Sequence, residues 1–178
     1  MSRPVRLWSA LPAIVLLASC EAADAPASGA PLELTGRVVD AADIIPERIE
    51  ADLTGQLSEL EDRTLAQMVI VTTPDLQGRS IEEFGMALGN GWGIGDAERN
   101  DGILLIVAPN DRRVRIEVGT GLETVLTDEL CAAYIDRMLP SLKQGDYLGA
   151  IMIGTDLIEA RLLETSVTPV TAREMVPA

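Results

Sequence analysis

Ile103-Leu104-Leu105-Ile106-Val107, then Pro109-Asn110-Asp111, then Arg113-Val114-Arg115-Ile116-Glu117-Val118 is the stretch that decides the fold. Its first five residues form an unbroken apolar run, the pattern of a strand buried on both faces. Pro, Asn and Asp then favour a turn. Beyond it Val114, Ile116 and Val118 alternate with Arg113, Arg115 and Glu117, so the two segments read as a β-hairpin. Upstream, Met68-Val69-Ile70-Val71 is a second short run of the doubly buried kind.

Helical spacing fills the intervals. Ile49, Leu53, Leu57 and Leu60 follow Pro46, a residue accepted in a first helical turn, and predict a helix from about Pro46 to Arg63. Ser80-Ile81-Glu82-Glu83 matches a capping box, and Ile81, Phe84 and Leu88 form the stripe of a second helix that ends near the glycines around Trp92. Leu130, Ile135, Met138 and Leu142 predict a third helix. Asp146 caps a fourth that buries Ile151, Leu157, Ile158 and Leu162. The class is α/β, with a mixed sheet covered by helices.

At the amino terminus Arg3 and Arg6 precede an apolar run from Leu7 to Leu17, and no acid appears before Glu21. This is the layout of an export signal, and the run is about half of the roughly 20 apolar residues that a spanning helix requires. Leu17-Ala18-Ser19-Cys20 resembles a bacterial lipobox, which predicts cleavage after residue 19 and lipid on Cys20. The plainer alternative is secretion with a cut among the small residues near Ala18 to Ala23. Lipidation places the chain on a membrane facing the periplasm, the outer membrane where there is one, because Glu21 rather than Asp follows the cysteine. Residues 20–33, rich in Ala, Pro, Ser and Gly beyond the cysteine, read as a flexible tether. Residues 34–163 are long enough for one core, and 164–178 read as a loose tail.

Cleavage before Cys20 leaves 12 basic residues against 28 acidic ones, a net charge near −16. Such a field repels nucleic acid, so no nucleic-acid partner is expected. Histidine is absent from the sequence, which excludes Ser-His triads, Cys-His pairs and imidazole-ligated metals. Cys131 falls in the third helix and reads as a core residue. Gly91-Trp92-Gly93-Ile94-Gly95 lacks the rest of a phosphate-loop pattern and reads as a turn. Carboxylates near element ends remain: Asp40, Asp43, Asp101, Glu117 and Asp146. Each has an ordinary explanation, as a helix cap for Asp43 and Asp146, a turn for Asn100-Asp101-Gly102, and a solvent-facing strand position for Glu117. Converging, they would suit a hard cation, Ca²⁺ above Mg²⁺.

Val39-Asp40-Ala41-Ala42, Trp92-Gly93-Ile94-Gly95, Asn100-Asp101-Gly102, Arg115-Ile116-Glu117-Val118-Gly119 with Gly121-Leu122-Glu123, and Gly145-Asp146-Tyr147 together resemble the TPM domain family in order and spacing. The resemblance covers nearly the whole domain. The family includes a thylakoid lumen protein tied to photosystem II repair, an acetylcholine-receptor accessory protein and many bacterial envelope proteins. It implies a three-layer αβα domain, an acidic site described as calcium-binding, and a reported and disputed acid phosphatase activity. Carried over residue by residue, the metal site falls on Asp40, Asn100, Asp101 and Asp146, with Glu117 beside them. Many bacterial relatives carry a hydrophobic carboxy-terminal helix for which lipid on Cys20 would substitute. Two functions follow as expectations. One is a calcium-binding accessory module for an unidentified envelope protein. The other is a metal-assisted phosphatase using Arg115 or Arg113 to neutralise charge, although the chain has neither a Cys-x₅-Arg loop nor a DxDx[TV] motif.

Overall fold

The apolar runs become the middle of a four-stranded sheet in the computed structural model, which describes residues 29–167. The strands are β1 (Val38–Asp40), β2 (Gln67–Thr72), β3 (Gly102–Ala108) and β4 (Arg113–Val118), ordered β1-β2-β3-β4. β1, β2 and β3 run parallel and β4 returns antiparallel to β3, with Leu105 opposite Ile116. Helices α1 (Glu47–Thr64), α2 (Ile81–Trp92), α3 (Asp128–Lys143) and α4 (Tyr147–Val167) complete the domain.

Alternate residues of the strands feed two cores. Met68, Ile70, Ile103, Leu105 and Ile116 meet Leu53, Leu57 and Leu60 of α1, Met138 of α3, and Ile151, Ile158 and Leu162 of α4. On the other face Val69, Val71, Leu104 and Ile106 meet Ile81, Phe84 and Leu88 of α2. The layers are therefore α2, the sheet, and α1 with α3 and α4, which is why β2 and β3 have no polar face. Both crossovers, β1-α1-β2 and β2-α2-β3, advance the same way across the sheet, yet their helices lie on opposite faces. The two must then have opposite hands, so one departs from the right-handed rule that holds in about 98% of such units.

Several expectations change. β1 has no counterpart among the expected strands; it is only three residues long. Asp43 does not cap α1: it sits at φ 53°, while Pro46 occupies the cap position without a side-chain bond, and Asp40 is the acid that ties down the turn. In α3 the buried stripe is Cys131, Tyr134 and Met138, and Leu130, Ile135 and Leu142 flank it half-buried. α4 runs through Val167, beyond the expected boundary at 163, with the Thr165 and Ser166 hydroxyls donating to helix carbonyls. The amino-terminal stretch is docked sooner than its composition implies. Ala30 and Leu32 pack against the α2 core, and Trp92 Nε1 donates to the Leu32 carbonyl at 2.8 Å. Cys20, the export signal and the tail after Val167 lie outside the described residues.

Candidate functional site

The five expected ligands are distributed over both ends of the sheet. Asp40 stands opposite Thr72 at the carboxyl end of β2, whereas Asp101 immediately precedes Gly102, opposite Gln67 at the amino end. The two levels are about 16 Å apart at about 3.3 Å per residue. Two ligands of one Ca²⁺ can be no more than about 5 Å apart, since each oxygen lies about 2.3–2.6 Å from the ion. As a set, these donors do not fit one hard-cation site.

At the carboxyl end the chain leaves β1 and β2 towards opposite faces, the kind of crevice in which open α/β sheets hold ligands. Here the chain fills it. One oxygen of Asp40 accepts from the Thr72 hydroxyl, and the other accepts from the Ile45 N–H at 2.8 Å. The fully buried Thr72 hydroxyl in turn accepts from the Ala42 N–H at 3.0 Å. Asp146 stands at the same end of the sheet, beyond β3, since its neighbours Gly145 and Tyr147 line one cavity with Val107 and Ala108. It caps α4 as expected, accepting from the Gly149 N–H at 2.9 Å.

Asn100, Asp101 and Glu117 share the opposite end, the foot of the sheet. Asn100 and Glu117 line one cleft of about 290 Å³ with Gly85, Met86, Asn90 and Thr120. Asn100 takes φ 51°, a left-handed conformation that Asn tolerates well. The Asp101 carboxylate is committed elsewhere, accepting from the Asp96 N–H at 2.8 Å and from the Arg99 guanidinium. Asp96 accepts from the backbone N–H groups of Arg99 and Glu98, and these bonds hold its carboxyl below its ordinary pKa. Glu117 lies under α2 rather than on an open face: an added Cβ at Gly85 would come within 3.1 Å of Glu117 Oε2. It is paired with Arg115, which also reaches Glu82 at 3.7 Å. Burial opposes the Arg115 charge, but the hydrogen bond and charge of Glu117 outweigh it and raise the pKa.

What holds the foot together is glycine. An added Cβ would lie 2.4 Å from Gly102 N at Gly95, 2.3 Å from Ile94 O at Gly102, 2.2 Å from Asn100 O at Gly119, and 1.8 Å from Arg99 O at Gly121. Four bare backbones let the loop before β3 nest against the loop after β4. Sequence reasoning missed Arg99 as the partner of Asp101, and Gln67, whose side chain accepts from the Gly95 N–H at 2.7 Å. Gly85 inside a helical pattern was a readable sign of close approach. Cys131 is a buried core residue as expected, its thiol pushed up to about 11 by burial.

A mixed four-stranded sheet between one helix and three defines a small three-layer αβα domain, here with a glycine-packed foot. The family described as TPM domain matches residues 38–161, and the chain belongs to that family. It is similar to the N-terminal domain of a protein from P. gingivalis at 31% identity and TM-score 0.68, covering 74% of this chain and 84% of that one. The BA42 protein of Bizionia argentinensis, at 14% identity and TM-score 0.57, shares the fold over 70% of this chain and 84% of its own. So does the N-terminal domain of a Corynebacterium glutamicum protein, at 17% and 0.55, over 83% and 90%. A comparison with curated proteins finds no match.

Proposed function

We propose that the chain is an exported, lipid-anchored accessory module of TPM type that holds an envelope protein rather than turning over a substrate. The observation that carries this reading is how its carboxylates are used. Asp40, Asp101, Glu117 and Asp146 each accept internal hydrogen bonds, and the bonds of Asp40 and Asp101 lock loops at opposite ends of the sheet. Freeing Asp40 or Asp101 leaves a part-buried backbone donor unpaired, at a cost of about 1–3 kcal/mol. Loops fixed in advance lose little entropy on docking, which suits a binding surface.

Within this reading the calcium expectation narrows to the foot, where Asn100 and Glu117 line one cleft and Asp101 is the residue next to Asn100. A cation there would displace Arg99 or Arg115 from its partner. Its affinity therefore belongs with the weak extracellular class, Kd about 10⁻⁴–10⁻³ M. The membrane attachment rests on the lipobox at Cys20. With Ala30 already docked, only Glu21 to Gly29 separates domain from anchor, at most about 30 Å when fully extended. The partner should then sit close to the membrane.

The tests separate these parts. Recovery of one envelope protein with the purified chain from detergent-solubilised membranes supports the accessory role. Calorimetric titration showing no heat with millimolar Ca²⁺, or equal heat for Asp101→Asn, removes the calcium part alone. The phosphatase alternative predicts hydrolysis of a generic phosphomonoester that an identically prepared Asp101→Ala protein loses. Equal rates for the two point to contamination. Uptake of a clickable palmitate analogue by wild type and not by Cys20→Ser establishes the anchor, and no uptake by either refutes it.

A further inference from the structure

A second cavity is about twice the size of the cleft at the foot. It lies at the other end, at the β3–β4 turn, where the corner between α3 and α4 faces the sheet. Its volume is about 610 Å³, inside the range of roughly 300–1,000 Å³ typical of small-molecule sites. The walls are apolar, with Val114, Leu139, Leu142 and Tyr147 among them, and all four are half-buried. Arg112, Arg113 and Lys143 also line it, and no acidic residue does.

That contrast is strong in a chain with 28 acidic residues against 14 basic ones. Asp111 and Asp146, next in sequence to lining residues, do not line the cavity themselves; Asp111 accepts from the Leu76 N–H and Asp146 from the Gly149 N–H. Arg113 alternates towards the α2 face, where its charge helps lower the Glu82 pKa, so Arg112 and Lys143 are the cations available to a ligand. Among the described residues neither has an ion-pair partner. Arg112 also adopts φ 54°, a left-handed turn position where Gly or Asn is the low-cost choice. An arginine held there against backbone preference, on the rim of a cavity, suggests use of its charge.

We propose that this cavity binds a small amphipathic anion, a carboxylate or phosphate on an apolar body such as a free acyl chain, with Arg112 and Lys143 taking the anionic head and Leu139, Leu142 and Tyr147 the chain. This does not depend on the accessory role or on calcium at the foot. Lys143 is the only lysine of the sequence, which gives a direct probe. Carbon-13 dimethylation keeps its charge and yields one side-chain NMR signal distinct from that of the amino terminus.

The experiment titrates the full chain, so labelled, with monomeric decanoate, decan-1-ol and phosphatidylglycerol vesicles. The expected result is a saturable shift of the Lys143 signal with decanoate and none with decan-1-ol. Arg112→Gly should weaken decanoate binding by about tenfold or more, through loss of one nearby charge. Because glycine suits the turn, its melting temperature should not fall, so the weakening cannot be laid to unfolding. No shift with decanoate, an equal shift with decan-1-ol, unchanged affinity in Arg112→Gly, or a shift with vesicles alone would each overturn the proposal.

Discussion

Replacing Gly121 by alanine tests whether the glycines at the foot of the sheet serve packing. The new Cβ would stand 1.8 Å from the Arg99 carbonyl oxygen, 3.0 Å from its carbon and 3.1 Å from Asn100 O. A relaxed C···O contact needs about 3.3 Å, so one backbone must retreat by about 1.5 Å. The obstacle is main chain, which cannot rotate aside as a side chain would. Retreat breaks the 3.0 Å bond from the Gly121 N–H to Asn100 O, worth about 1 kcal/mol, and overpacking adds about 1–3 kcal/mol. The expected loss is about 2–4 kcal/mol, or roughly 8–16 °C in melting temperature at about 4 °C per kcal/mol for a domain of this size. Gly55→Ala is the control, since Gly55 lies exposed in α1 with nothing within 4 Å of its added Cβ. It should stabilise by about 0.8–1 kcal/mol through helix propensity. Urea unfolding of both variants reads the difference. A Gly121→Ala protein within about 0.5 kcal/mol of wild type would refute close packing of the two loops.

Thr155 is fully buried and its hydroxyl has no hydrogen-bond partner among the described residues, so Thr155→Val should stabilise by about 1 kcal/mol in the same assay. Ser80→Ala breaks the capping box in which the Ser80 side chain accepts from the Glu83 N–H at 3.1 Å, and should cost about 1 kcal/mol. With its thiol pushed up to about 11, Cys131 is thiolate in roughly one molecule in 10⁴ at neutral pH, and an aromatic disulfide reagent should label it only as the domain unfolds. Burial, then Asp40, Glu47 and Asp43, raise the Glu50 pKa above 4.5, so its ionised form costs folding energy once pH passes that value. Glu50→Gln should therefore be neutral in acid and stabilise by roughly 0.2–0.5 kcal/mol near pH 7, and added salt should reduce only the part due to Asp40, Glu47 and Asp43.

The parts of the fold readable in the sequence were those whose cause is local. β2 and β3 announce themselves because both faces are buried, and α2 because Ser80, Glu83 and the stripe Ile81-Phe84-Leu88 act within one or two turns. β1 has only Val38 and Val39 as apolar members, too few to show a period. That omission hid the site as well. In a parallel sheet, a residue ending one strand and a residue opening another lie at opposite ends. Without β1, nothing marked Asp40 as an ending residue and Asp101 as an opening one. The glycines at 95, 102, 119 and 121 were visible, but that they face one another depends on loops meeting across strands.

The two ends of the sheet differ for a topological reason. After β1 and β2 the chain turns into helices on opposite faces, and the turns cross over the strand ends, so Asp40, Thr72 and Ile45 close the crevice there. After β3 no helix follows. The chain reverses through Pro109 to Arg112 into β4, and a four-residue turn covers little of the strand end. The α3–α4 corner approaches that end from one face only, which leaves the cavity walled by Leu139, Leu142 and Tyr147. The antiparallel return of β4 thus opens the space, and Arg112 at the tip of the same turn charges its rim. Lengthening that turn by two glycines after Asn110 should therefore displace Arg112 and weaken anion binding while the β3–β4 ladder from Ile103 to Ala108 persists, as amide exchange protection of those strands would report.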